Sequence, residues 1–127
     1  MAKILCVDDE KAVTALKKQI LEQAGHSVIT CDSADQAVRL LSQTDFDAVV
    51  TDWRLGEDRG RKIVEAAKSK SSVPVVVVSG YVAEAFQSAE PLADLYLEKP
   101  ADPRELLEIL EALLTRQRSR EEHPANF

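Results

Sequence analysis

Val75-Val76-Val77-Val78 is an unbroken apolar run that ends on Ser79-Gly80. A strand with valine on both faces needs cover on both faces. That is the habit of a central strand in a parallel sheet flanked by helices. Three other short runs have the same form. Ile4-Leu5-Cys6-Val7 ends on Asp8-Asp9, and Ala48-Val49-Val50-Thr51 ends on Asp52. Leu95-Tyr96-Leu97 runs, past Glu98, into Lys99-Pro100. If these are parallel strands of one sheet, their terminal polar residues emerge at one edge. That edge then holds three carboxylates, a hydroxyl and an ammonium.

The intervening segments carry helical patterns, so strands and helices alternate as in an α/β protein. A first helix is expected over 11–24, where Val13, Leu16, Ile20 and Ala24 recur at helical spacing and Gly25 is a stop. Val28-Ile29-Thr30-Cys31 reads as the second strand. Ser33-Ala34-Asp35-Gln36 is a capping box, ahead of a helix whose buried face is Ala37, Leu40 and Leu41. Residues 60–70 read as helix with Ile63, Val64 and Ala67 inward. Residues 81–91 form the weakest helical pattern and end at Pro91. In the last helix Asp102 caps, Pro103 takes the first position and Glu105 completes the box. Leu106, Leu110, Leu113 and Leu114 share a face, and Arg116 and Arg118 suit the C-terminal end of the dipole. One domain over 1–118 is expected. Residues 119–127, polar and containing Pro124, read as a tail or the start of a linker.

A chain of 127 residues suits one domain, which at this size buries enough surface to need no staples. No apolar stretch approaches the ~20 residues of a membrane span. The first residues lack the apolar segment of a signal peptide. Cys6 and Cys31 lie in strand-like runs with no Cys-x-x-Cys, which suggests reduced, buried thiols and a cytoplasmic protein. A net charge of −6 disfavours nucleic acid as a direct partner of this domain.

In open α/β sheets, ligands bind outside the C-terminal strand ends, where strand order reverses. In a 2-1-3-4-5 order, Asp8-Asp9 and Asp52 meet at that reversal. Three close carboxylates repel one another, so either protons or a cation must neutralise them. Oxygen donors without His or Cys point to Mg²⁺. With Lys99 and Ser79 added, the set suits phosphoryl transfer onto an aspartate, because ammonium, hydroxyl and metal all stabilise charge on the phosphoryl oxygens. Taken singly, each residue has a plainer reading. Asp8 or Asp9 could be a helix cap, Asp52 a loop acid, Ser79-Gly80 a turn and Lys99-Pro100 a loop.

Asp8-Asp9, Asp52, Gly60, Ser79-Gly80, Tyr96 and Lys99-Pro100, in this order and spacing, resemble the receiver domain of response regulators in two-component signalling. The likeness covers residues 3–118. It implies a doubly wound, five-stranded parallel sheet in the flavodoxin-like order 2-1-3-4-5 with about five helices. It also implies that Asp52 accepts a phosphoryl group from a histidine kinase or phosphotransfer protein. Asp9, Asp52 and the Arg54 backbone carbonyl would hold Mg²⁺, with Asp8 acting through a metal-bound water. Lys99 would pair with the phosphoryl oxygens. Ser79 and Tyr96 would be a switch pair altering the surface of the fourth helix, fifth strand and fifth helix, read by a downstream protein or output domain. A phosphorylation-linked homodimer through the last two helices is compatible with this, and no membrane contact is implied.

After Asp52 the chain departs from the family pattern: Gly56 stands where proline is usual, and Arg59 where an acid is usual. Two rival functions meet specific obstacles. An aspartate-based phosphatase or phosphotransferase commonly has a second acid two residues after the nucleophile, and here Arg54 occupies that position. A flavodoxin-like nucleotide or flavin binder needs a Gly-rich or hydroxyl-rich phosphate loop after the first strand. Asp8-Asp9-Glu10 has the wrong charge for that. The single tryptophan, Trp53, adjoins Asp52 and is expected to report on the site.

Overall fold

The structure, a computed structural model, describes residues 2–55, 58–70, 73–79, 93–99 and 102–122. Five strands form one sheet: β1 (Lys3–Val7), β2 (Ser27–Cys31), β3 (Ala48–Asp52), β4 (Val75–Ser79) and β5 (Leu95–Glu98). All are parallel, and they lie in the order β2-β1-β3-β4-β5, as expected. Four helices are described: α1 (Lys11–Gln23), α2 (Ala34–Gln43), α3 (Arg61–Lys70) and α4 (Pro103–Glu122). The helix expected over 81–91 lies outside the described residues.

Alternation along the strands divides the core into two layers. Leu5, Val7, Val49, Val75 and Val77 pack with Ala37, Leu41, Ile63, Val64 and Ala67 of α2 and α3. Ile4, Cys6, Val50, Val76 and Val78 pack with Leu21 of α1 and Leu106 and Leu110 of α4. The valine run is therefore central and covered on both sides. Leu113 and Leu114 complete the α4 face half-buried. Cys6 and Cys31 are free thiols in opposite layers. Burial pushes both up, Cys6 to about 12 and Cys31 to about 11, so neither is a thiolate at neutral pH.

Helix ends follow the sequence cues. Ser33 Oγ accepts the Gln36 backbone N–H at 3.2 Å, and Asp102 Oδ1 accepts that of Arg104 at 2.9 Å. Gly25 has φ 96°, and beyond it the His26 N–H donates to the Leu21 carbonyl, a Schellman ending that needs the glycine. Two expectations need correction. Helix α4 runs to Glu122, so residues 119–122 of the expected tail are helical. Polar composition does not stop a helix, and no glycine or internal proline interrupts this one. In α1 the buried residues are Thr14, Lys17 and Leu21, while Leu16 of the apolar stripe is 49% exposed.

Candidate functional site

The C-terminal ends of β1, β3 and β5 bring the acidic and basic residues together. At the end of β1, the Asp8 N–H donates to the Cys31 carbonyl at 3.2 Å. The chain then turns sharply. Asp8 Oδ1 accepts the Glu10 N–H at 2.9 Å, and the Thr14 hydroxyl donates to the Glu10 carbonyl at 3.0 Å. Glu10, without a side-chain cap bond, is the N-cap residue of α1. The plain reading of Asp8 as a helix cap therefore fails. Its carboxylate is turned into the sheet edge and is buried, whereas Asp9 and Glu10 are exposed.

Asp52 ends β3 and is buried. The chain leaves it as a two-residue antiparallel ribbon, in which Arg54–Leu55 pairs with Asp58–Arg59. Of the departures from the family pattern, Arg59 lies in this ribbon, and Gly56 lies outside the described residues. The ribbon returns to Gly60, whose N–H donates to the Trp53 carbonyl at 2.6 Å. A Cβ on Gly60 would lie 2.5 Å from the Asp52 carbonyl oxygen and 3.2 Å from Trp53 Cα. Only glycine permits this approach. Trp53 is buried in the layer beneath α2 and α3, and its indole N–H has no hydrogen-bond partner among the described residues.

Lys99, just after β5, closes the site. Its ammonium donates to Asp52 Oδ2 at 2.7 Å and lies 3.7 Å from Asp8 Oδ2 and 4.0 Å from Glu10 Oε1. Burial pulls the Lys99 pKa down. The hydrogen bond and charge of Asp52, joined by the charges of Asp8 and Glu10, outweigh burial, and the net shift is upward. Lys99 is thus a permanent cation at neutral pH.

Two residues at this edge escaped the sequence reading. Carboxylate oxygens of Asp8, Asp9 and Glu10 lie within 4.8 Å of one another, which adds Glu10 to the expected acids. Asp52 joins this cluster through Lys99. The second is Lys17, whose side chain is 5% exposed and whose ammonium lies 3.5 Å from Asp8 Oδ2. No signal in the sequence marks it: Thr14, Lys17 and Leu21 share one helical face, but two of the three are polar. Asp8 Oδ2 itself is buried with no hydrogen bond among the described residues. An all-oxygen acidic set with an unsatisfied buried carboxylate oxygen fits a hard divalent cation such as Mg²⁺.

The switch residues are placed in part. Ser79 ends β4 opposite Glu98; its side chain lies outside the described residues, as do the Arg54 side chain and Gly80. Tyr96 is opposite Val77 and packs half-buried against the α2–α3 layer. Burial raises its phenol pKa, opposed by a backbone hydrogen bond with Ala93.

Comparison with known proteins agrees with this geometry. The family described as the response regulator receiver domain matches residues 4–111. The transcriptional regulatory protein CpxR of Escherichia coli K12 is 32% identical over 99% of this chain and 55% of its own length. The alginate biosynthesis transcriptional regulatory protein AlgB of Pseudomonas putida is 37% identical over 82% of this chain and 24% of its own. The chain thus spans about half, or less, of the length of these relatives. The CheY-like receiver domain protein of Methanospirillum hungatei superposes with a TM-score of 0.85 at 29% identity, covering 94% of this chain and 98% of that one. No described helix is long and apolar enough to cross a membrane. With the fold, the strand order and the acidic edge in agreement, the chain belongs to the response regulator receiver domain family.

Proposed function

We propose that the domain is a phosphorylation-controlled signalling switch in which Asp52 accepts a phosphoryl group from a histidine kinase or phosphotransfer protein. The observation that carries this reading is the 2.7 Å bond from Lys99 to Asp52 Oδ2, beside the buried Asp8. Lys99 orients the Asp52 carboxylate. A carboxylate oxygen then attacks phosphorus, an O–P bond forms, and the P–N bond to the donor imidazole breaks with its electron pair leaving on nitrogen. The Lys99 ammonium stabilises charge on the phosphoryl oxygens during transfer. Asp8, Asp9 and Asp52, with the Arg54 backbone carbonyl, would hold Mg²⁺, which when bound supplies the charge that lets an anionic donor approach the carboxylates. The domain's chemistry is confined to its own phosphorylation and dephosphorylation.

Ser79, at the end of β4, is the residue that would follow the new phosphoryl oxygen, with Tyr96 as relay to an output surface for a downstream protein or output domain. A transcriptional output is the reading that CpxR and AlgB suggest.

Trp53 fluorescence tests the assignment. Mg²⁺ is expected to change the emission, and beryllofluoride, a phosphoryl mimic, to change it again. Asp52→Asn should lose the second response. A wild type indifferent to both additions, or an Asp52→Asn variant that responds to beryllofluoride as the wild type does, would sink the reading. Multiple turnovers on small phosphate esters would favour an aspartate-based phosphatase instead.

A further inference from the structure

Burying an ammonium is costly unless a counter-charge stands beside it. Lys17 is the buried cation of α1, where its helical face otherwise carries Thr14 and Leu21. Its partner is Asp8 Oδ2 at 3.5 Å. Lys99 approaches the same oxygen at 3.7 Å. Both distances exceed a hydrogen bond, so Asp8 Oδ2 is flanked by two cations and bonded to neither. The carboxylates of Asp8, Glu10 and Asp52 thus face the ammoniums of Lys17 and Lys99, one of them anchored in a helix and shut away from solvent.

From this geometry we infer that Lys17 is a positioning residue, a resident counter-ion that holds Asp8 at the sheet edge and weakens the divalent-cation affinity of the site. The inference rests on the proposed metal-assisted switch. A divalent ion entering beside Asp8 meets the field of a fixed positive charge a few ångströms away, in surroundings where screening is poor. The same charge compensates Asp8 when no metal is bound. Lys17 therefore narrows the difference between the metal-free and metal-loaded domain. A purely structural lysine would also affect stability but would leave metal affinity unchanged.

Calorimetric titration of the full chain with Mg²⁺, alongside Trp53 fluorescence, separates these roles. Lys17→Met keeps the length of the side chain and removes the charge. It should tighten Mg²⁺ binding on the order of tenfold, a change of about 1.4 kcal/mol, as removal of a nearby like charge relieves repulsion. Lys17→Arg, which keeps the charge, should bind Mg²⁺ much as the wild type does. The Mg²⁺-induced rise in melting temperature should be larger in Lys17→Met than in wild type, by mass action. If the methionine variant does not fold, Lys17→Gln carries the same expectation. Equal or weaker Mg²⁺ binding in the neutral variants, with normal binding in the wild type, overturns the role of Lys17 alone. Absence of Mg²⁺ binding in every variant and in the wild type overturns the metal site and the counter-ion role together.

Discussion

Asp52 is held from two sides, by a lysine far along the chain and by a glycine just beyond it. Lys99 fixes its carboxylate through the 2.7 Å bond, and Gly60 fixes its backbone by lying where a side chain cannot. The second constraint is steric. A methyl group at residue 60 would sit 2.5 Å from the Asp52 carbonyl oxygen, which is backbone and has little room to give. Gly60→Ala must therefore push the ribbon away from the end of β3, stretching the bond from the Gly60 N–H to the Trp53 carbonyl. A loss of about 1–3 kcal/mol is expected, the usual range for overpacking. Because the strain falls on Asp52 itself, phosphoryl acceptance from a small-molecule donor should slow as well. Urea unfolding and a phosphorylation time course would check the two effects. An alanine variant as stable and as quickly phosphorylated as wild type would show that the ribbon yields freely.

Helix α1 is where apolar spacing and tertiary structure part. Val13, Leu16, Ile20 and Ala24 outline a stripe, yet the face turned inward is rotated by about one residue, to Thr14, Lys17 and Leu21. Leu21→Ala should cost about 2–5 kcal/mol, as buried leucines do, whereas Leu16→Ala should stay within about 0.5 kcal/mol. Equal losses in denaturant unfolding would restore the stripe as the packed face. The rotation has a cause that sequence periodicity cannot register: Lys17 is drawn in by Asp8, a charge on another element. Where hydrophobic burial dominates, the elements were legible. The valine run of β4, the Ile63–Val64–Ala67 face of α3 and the leucines of α4 all lie as expected. Ser33, Asp102 and Gly25 also end their helices as their chemistry requires. At the edge, the acids and Lys99 were legible because each follows an apolar run directly. Glu10 and Lys17 were not, since a helix N-cap acid and a mid-helix lysine look like ordinary surface residues until the fold brings them to Asp8.

Across the whole molecule, charge at one edge of the sheet is set against the stability of everything beneath it. The chain carries a net charge of −6, and Asp8, Asp9 and Glu10 lie within 4.8 Å of one another. Like charges this close destabilise the metal-free fold, while the same charges attract a divalent ion that binds the folded state and not the unfolded one. Asp9 is the exposed member expected to contact the metal, so Asp9→Asn should move stability in opposite directions under the two conditions. In EDTA the variant should melt up to about 3 °C above wild type, since relief of one surface repulsion is worth at most about 1 kcal/mol. At saturating Mg²⁺ the wild type should gain about 2.7 kcal/mol when the ion stands at a hundred times its dissociation constant. The variant should lose most of that gain, so the order of melting temperatures reverses. Calorimetric melting of both proteins in EDTA and in Mg²⁺ reads the crossover directly. A variant that melts lower in EDTA and keeps the full Mg²⁺ increment would make Asp9 a structural acid, and would move the metal's ligands to Asp8, Glu10 and Asp52.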